Sequence, residues 1–149
     1  MAAAVLESAA EVSPYETWCH PDYTVEDAAD YVGAWICGRK DGIAFYYVVE
    51  DSTSGAMLGY WIRTSRTGEG IATTAARLVC AAAFEDLGLI HIEIGVPMAN
   101  AASRRVAEKL GGARKGILRR KLILPTGPAD IVLYGLFPEA FRGTAPERP

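Results

Sequence analysis

The chain has 149 residues, half of them hydrophobic and 22% charged, with 15 Lys and Arg against 18 Asp and Glu. This length and balance fit one soluble globular domain with its own core, and they exclude a disordered chain. A formal charge of -3 argues against nucleic acid as a partner, because neutralising phosphates needs a basic surface.

The three cysteines, Cys19, Cys37 and Cys80, are widely spaced and form no CxxC, and His20 and His91 lie far apart. A disulfide framework and a metal site are therefore not expected, and a reducing, cytoplasmic setting is. The opening Met1-Ala-Ala-Ala-Val-Leu-Glu has neither the basic nor the long apolar region of a secretory signal. No run approaches the roughly 20 apolar residues that cross a bilayer, so no membrane partner is expected.

Residues 1–24 are Ala-rich and then interrupted by Pro14 and Pro21, and they read as an irregular N-terminal arm. Thr24 with Asp27 resembles a capping box with Asp in the Glu position. It opens a predicted helix over 25–38 whose face is Val25, Ala28, Ala29, Val32, Trp35 and Ile36. Gly38 stands at its end, and Asp41-Gly42 signals a turn. Residues 43–50 and 56–62, rich in aromatic and β-branched types, predict two antiparallel strands around a turn at Ser52–Gly55.

A Gly-containing loop, 64–70, leads into a predicted helix from Ile71 to about Leu87, with Ile71, Ala75, Leu78, Val79, Ala82 and Ala83 as its apolar stripe and Gly88 after it. Ile90, Ile92 and Ile94 alternate with His91 and Glu93, which predicts a strand over 89–96. Asn100 can cap a short helix that ends near Leu110 and buries Val106, Ala107 and Leu110. Two further strands, 116–124 and 130–137, flank a turn at 125–129. The expected fold is a mixed α/β (α+β), mostly antiparallel sheet flanked by helices, in one domain over 25–141 with a tail at 142–149.

Charge is uneven along the chain. Arg104, Arg105, Lys109, Arg114, Lys115, Arg119, Arg120 and Lys121 are eight of the 15 basic residues, with Glu108 the one acid among them. Such a patch on an acidic protein suits a small anionic ligand, although a solvated face gives the same pattern. The loop before the helix at Ile71 has the makings of an anion site. The first N–H groups of a helix lack internal partners, the macrodipole is positive there, and Gly68 and Gly70 permit close backbone approach. Gly-x-Gly before a helix is also common in ordinary turns, and this is neither GxGxxG nor a P-loop.

Taken together, LGYWI (58–62), GEGIATTAARLVCAAAFEDLGL (68–89), HIEI (91–94), NAASRRVAEKLGG (100–112), GILRRKLIL and DIVLYGLF resemble the GCN5-related N-acetyltransferases, GNAT, in the RimJ/RimL-type branch. The likeness spans roughly residues 56–137. It implies a GNAT-like acyl-CoA fold and transfer of an acetyl group from acetyl-CoA, as co-substrate, to a primary amine. Backbone N–H groups of Gly68, Glu69, Gly70, Ile71, Ala72 and Thr73 would hold the CoA pyrophosphate. Thr67 stands where relatives carry Gln or Arg. Trp61, Ile62 and Arg63 would meet the pantetheine arm mainly through their main chain, and a core aromatic would also explain Trp61.

Asn100 matches a pantetheine contact, and an N-cap explains it equally. Ser103 matches a serine beside the acetyl sulfur; an exposed first-turn serine is the alternative. Arg105, or Arg104 or Lys109, would reach CoA phosphates. Glu93 resembles a family glutamate and is a candidate base acting through water, a structural carboxylate being the alternative; His91 is a weaker candidate. An α-amine, with a pKa of about 8, needs less help than a lysine near 10.4, which points to a peptide N-terminus or a small-molecule amine.

Two family elements look missing: the N-terminal strand and helix, and an internal hairpin between Gly59 and Tyr60. A homodimer is one way to complete the sheet. A non-catalytic acyl-CoA-binding module and an interaction protein with an exposed sheet edge are the competing readings.

Overall fold

The computed structural model describes residues 2–20, 22–27, 45–48 and 55–142. The predicted helix beyond residue 27, with Gly38, the Asp41-Gly42 turn and most of the Ser52–Gly55 turn, lies outside them.

The first finding corrects the sequence reading. Ala2–Val12 form a helix, α1, in place of an irregular arm. Ala4, Val5, Ser8 and Ala9 are buried, at helical spacings that make one face, and alanine has the highest helix propensity. That face packs with Cys19, Tyr23 and Trp61 into a core cluster of its own. Pro14, which has no N–H to continue the ladder, follows directly after the last turn. Thr24 and Asp27 form the expected capping box: Asp27 N–H donates to Thr24 Oγ1 at 3.1 Å and Thr24 N–H to Asp27 Oδ2 at 2.8 Å.

Among the described residues, five strands make one sheet: β1 (Phe45–Val48), β2 (Gly55–Tyr60), β3 (His91–Pro97), β4 (Ala113–Leu124) and β5 (Gly127–Leu136), in the order β1-β2-β3-β5-β4. All neighbours are antiparallel except β2 and β3. Among the described residues, α2 (Ile71–Glu85), α3 (Ala101–Lys109) and α4 (Pro138–Arg142) follow later in the chain.

The main core lies between one sheet face and α2 and α3. Ile92, Ile94 and Val96 of β3 and Val132, Tyr134 and Leu136 of β5 pack with Ala76, Cys80 and Ala83 of α2 and Ala107 of α3. Of the stripe predicted for α2, Ala83 is buried and Val79 packs against the core, but Ala82 is exposed and Leu78 is 66% exposed, and Ala76, Cys80 and Ala83 are the residues that face inward. Small residues at these positions let the helix approach the strands closely, and the bulkier Leu78 turns outward. Ile90 is likewise outside, because β3 begins only at His91. The C-terminal hairpin is tighter than predicted. Leu124 pairs with Gly127 across Pro125-Thr126, so Pro128 lies within β5. β5 pairs with β3 only from Ile131 onward, so on that side Pro128 interrupts no ladder.

Candidate active site

The site begins as a break in the sheet. The β2–β3 ladder holds three pairs, Gly55 with His91, Ala56 with Ile92 and Met57 with Glu93. β2 then runs on beside β1 to Tyr60, and β3 runs on beside β5 to Pro97. Past Met57 the two parallel strands carry no cross-pairs, so their facing edges offer main-chain groups to a third party. Both strands feed helices from this end, β2 into α2 and β3 into α3, so two helix N-termini border the gap.

The loop into α2 is built to leave its N-terminus open. Thr64–Arg66 form a 3-10 turn closed by Thr67 N–H and Thr67 Oγ1, both donating to Thr64 O at 3.1 and 2.9 Å. Thr67 thus spends its hydroxyl inside the turn. Gly68 and Gly70 have φ of 83° and 77°, a left-handed region that side chains rarely adopt. A Cβ at either would meet nothing within 4 Å, so open space lies beside both. Gly70 is the N-cap of α2 and no side chain caps the helix. Its first intrahelical bond is Thr74 N–H to Gly70 O at 3.0 Å. The N–H groups of Ile71, Ala72 and Thr73 consequently point out of the helix end with its positive dipole. Arg66 and Glu69 pair with each other at 2.8 Å, and the guanidinium holds the Glu69 carboxyl below its ordinary range.

The second arm is α3. Asn100 is its N-cap, with Oδ1 accepting from Ser103 N–H at 3.0 Å, so the capping explanation of Asn100 is realised. Ser103 Oγ donates to Tyr60 Oη at 3.2 Å, and Tyr60 O–H donates to the Ser103 carbonyl at 3.0 Å. This pair spans the gap from the end of β2 to the first turn of α3. Burial pushes the Tyr60 phenol up to about 12, against the hydrogen bond from Ser103, so it stays protonated. Tyr60 was not among the sequence candidates. Strand alternation carries the signal, since it sends Tyr60 and Trp61 to opposite sides.

Trp61 is buried and packs against Trp18, with ring centroids 5.8 Å apart, so its side chain is a core aromatic. Ile62 and Arg63 are half-buried in the loop, and Arg63 reaches Glu7 at 3.7 Å. Glu93 lies on the sheet face opposite Ile92 and Ile94, with Lys115 Nζ 2.6 Å from its carboxylate. Lys115 reaches it from β4 by lying across Gly135 of β5, where any Cβ would strike its side chain. His91 shares that face and covers Gly55. The eight clustered basic residues divide between two elements, Arg104, Arg105 and Lys109 on α3 and the other five on β4. Arg105 is exposed, and Arg104 is half-buried with its Nε lacking a hydrogen bond. Arg77 Nη2 ties α2 to α3 through Lys109 O at 2.8 Å.

Glu16, half-buried, is another carboxylate whose surroundings perturb it. Its carboxylate accepts from Trp18 Nε1 at 3.1 Å, and burial pushes its carboxyl up to about 7. A raised carboxyl favours the fold while protonated, so stability is full below about 4.5 and falls as pH rises toward 7. The loss is roughly 3 kcal/mol, for a rise from 4.5 to about 7 at 1.36 kcal/mol per unit. Glu16→Gln should remove that slope and stabilise the chain at pH 8, which thermal melts at pH 5 and pH 8 check. Among the described residues, no group of three or more His, Cys, Asp or Glu is placed to hold a metal, and no helix is long and apolar enough to cross a membrane.

Comparison with known proteins gives this geometry a family. The sequence model of the acetyltransferase (GNAT) domain matches residues 2–113. "Probable N-acetyltransferase YjcK" of Bacillus subtilis is 36% identical over 80 residues, 54% of this chain and 44% of that protein. YdaF of the same organism, named as a candidate ribosomal N-acetyltransferase, is 35% identical over 106 residues, 71% of this chain and 58% of that protein. The chain thus spans about half the length of these relatives. Mycobacterium smegmatis RimJ, solved in complex with CoA-disulfide, superposes with a TM-score of 0.80 at 23% identity, covering 93% of this chain and 76% of that one. That likeness is one of fold, as the sequence resemblance implied. A family match that begins in α1 and runs through α2, β3 and α3 covers every element that frames the gap, and this chain belongs to the GNAT acetyltransferase family.

Proposed function

We propose that the chain transfers an acetyl group from acetyl-CoA to a primary amine, a peptide N-terminal α-amine or a small-molecule amine, by direct attack. The observation that carries this reading is the Tyr60–Ser103 hydroxyl pair, which bridges the strand gap between two helix N-termini. Acetyl-CoA supplies an activated thioester, and the residues here fit its parts. The glycine-opened start of α2 presents N–H groups of Gly68 to Thr73 to a pyrophosphate. The unpaired edges after Met57 and Glu93, ending in Trp61, Ile62 and Arg63, offer main-chain partners to the pantetheine amides. One such N–H can meet the oxyanion. Asn100 keeps its amide N–H groups for the same arm, and Arg105 is free to reach phosphates.

Ser103 and Tyr60 offer hydroxyl protons to a departing thiolate, whose own pKa of roughly 8.5 is lower than that of the phenol. They therefore stabilise it as hydrogen-bond donors. Holding both reactants in place supplies much of the remaining acceleration. Glu93 serves as base only if Lys115 releases it. That ion pair is the observation that favours a second reading, a module that binds acyl-CoA without turnover.

Calorimetric titration with acetyl-CoA, followed by thiol release with peptide and small amines, tests both readings. Micromolar binding with turnover is expected. Binding without turnover on any amine selects the second reading, and no binding rejects both.

A further inference from the structure

We infer that α1 is a latch on the loop that opens α2, with Ser8 as its central positioning residue; this rests on the acetyl-CoA reading above. The loop leaves β2 at Tyr60 and has no strand ladder to hold it. Two of its N–H groups are instead met by side chains of α1, more than fifty residues earlier. Thr64 N–H donates to Ser8 Oγ at 2.9 Å and Ser65 N–H to Glu7 Oε1 at 3.0 Å. Thr64 Oγ1 donates to Glu11 Oε2 at 3.2 Å, and Arg63 stands 3.7 Å from Glu7. Glu7, Ser8 and Glu11 share one side of the helix at spacings of three and four.

Ser8 is fully buried and makes two bonds, since its hydroxyl also donates to Ala4 O at 2.8 Å. Trp61 is gripped as well, packed against Ala4, Val5 and Ala9 of the same helix. α1 therefore fixes the chain at Trp61 and again at Thr64 and Ser65, just ahead of the left-handed Gly68 and Gly70. A loop free to move would hold the pyrophosphate N–H groups in register only part of the time, and its apparent affinity would fall by that fraction. The coupling must run both ways, so ligand in the loop tightens α1.

Amide hydrogen exchange of the full chain with and without acetyl-CoA, joined to calorimetry of variants, tests this. Acetyl-CoA should slow exchange in residues 63–73 and also in residues 2–12. Ser8→Ala, which strips Thr64 N–H of its partner, should weaken acetyl-CoA binding about 5–10-fold while kcat at saturation stays within about twofold. Glu7→Ala, at an exposed position that leaves the packing intact, should weaken it about 2–4-fold if Ser8→Ala fails to fold. Protection of 63–73 without protection of 2–12, or unchanged affinity in a folded variant, overturns the latch and leaves the acetyl-CoA reading standing. Failure of the unmodified chain to bind acetyl-CoA overturns that reading itself.

Discussion

Gly70→Glu is expected to weaken acetyl-CoA binding by more than 100-fold and to leave the chain folded. Gly70 has φ of 77°, and a side chain there costs about 1–2 kcal/mol, a tolerable share of a typical 5–15 kcal/mol stability. Nothing lies within 4 Å of the new Cβ, so the substitution meets no clash in the protein itself. The carboxylate instead enters the space in front of Ile71, Ala72 and Thr73 and accepts the N–H bonds a pyrophosphate would take. It adds like-charge repulsion of roughly 1–4 kcal/mol at about 4 Å, depending on the local dielectric. Steric exclusion and loss of two or three charge-assisted hydrogen bonds account for the remainder. Gly70→Ala, which adds strain without charge, should cost only a few-fold. Calorimetry with a parallel circular-dichroism melt checks both. Equal loss in the two variants would trace the effect to backbone strain, and unchanged affinity in folded Gly70→Glu would remove the loop from the binding site.

Ser103→Ala and Tyr60→Phe should each lower kcat roughly 10–100-fold with acetyl-CoA affinity changed less than about threefold. A donor to a developing charge acts only as the thioester breaks, so its loss falls on turnover and spares ground-state binding. The two hydroxyls bond each other, so the double variant should be little worse than the poorer single one. Tyr60→Phe also removes one hydrogen bond to the Ser103 carbonyl, which costs about 1 kcal/mol of stability. Steady-state kinetics at saturating acetyl-CoA with calorimetry on each variant gives the answer. Fully additive losses would mean that the two residues act separately, and unchanged kcat would exclude both from the reaction.

What the sequence disclosed followed from short-range rules. The Gly68–Gly70 opening, the Asn100 cap and the Thr24–Asp27 box each depend on residues within three positions of one another, and all appear in the structure. β3 was found by alternation and the first two strands by aromatic and β-branched content, with strand ends displaced by up to three residues where pairing sets them. α1 was legible in principle, because Ala4, Val5, Ser8 and Ala9 keep helical spacing, but the alanine run hid it. The contacts that define the site were not legible. Tyr60 reaches Ser103 across 43 positions only because β2 and β3 part after Met57. Lys115 reaches Glu93 only because β5 lies between them with a glycine at the crossing. Neither register can be read from one strand alone.

The outer strand β4 bears on how this protein behaves in a crowded solution. It is twelve residues long, pairs among the described residues with β5 alone, and exposes Ile117, Leu118 and Ile123, all of which invite another strand to add to its outer edge. Its pairing with β5 slips between Arg114 and Gly116 and again between Leu118 and Leu122, and Arg120 in the second interruption has φ of 48°. Arg114, Lys115, Arg119, Arg120 and Lys121 all lie on it. Two copies laid edge to edge would have to align two bent strands and press their cations together. The same residues that read in the sequence as a ligand patch thus guard the sheet against growing into aggregates, and neutralising them would trade solubility for strand addition.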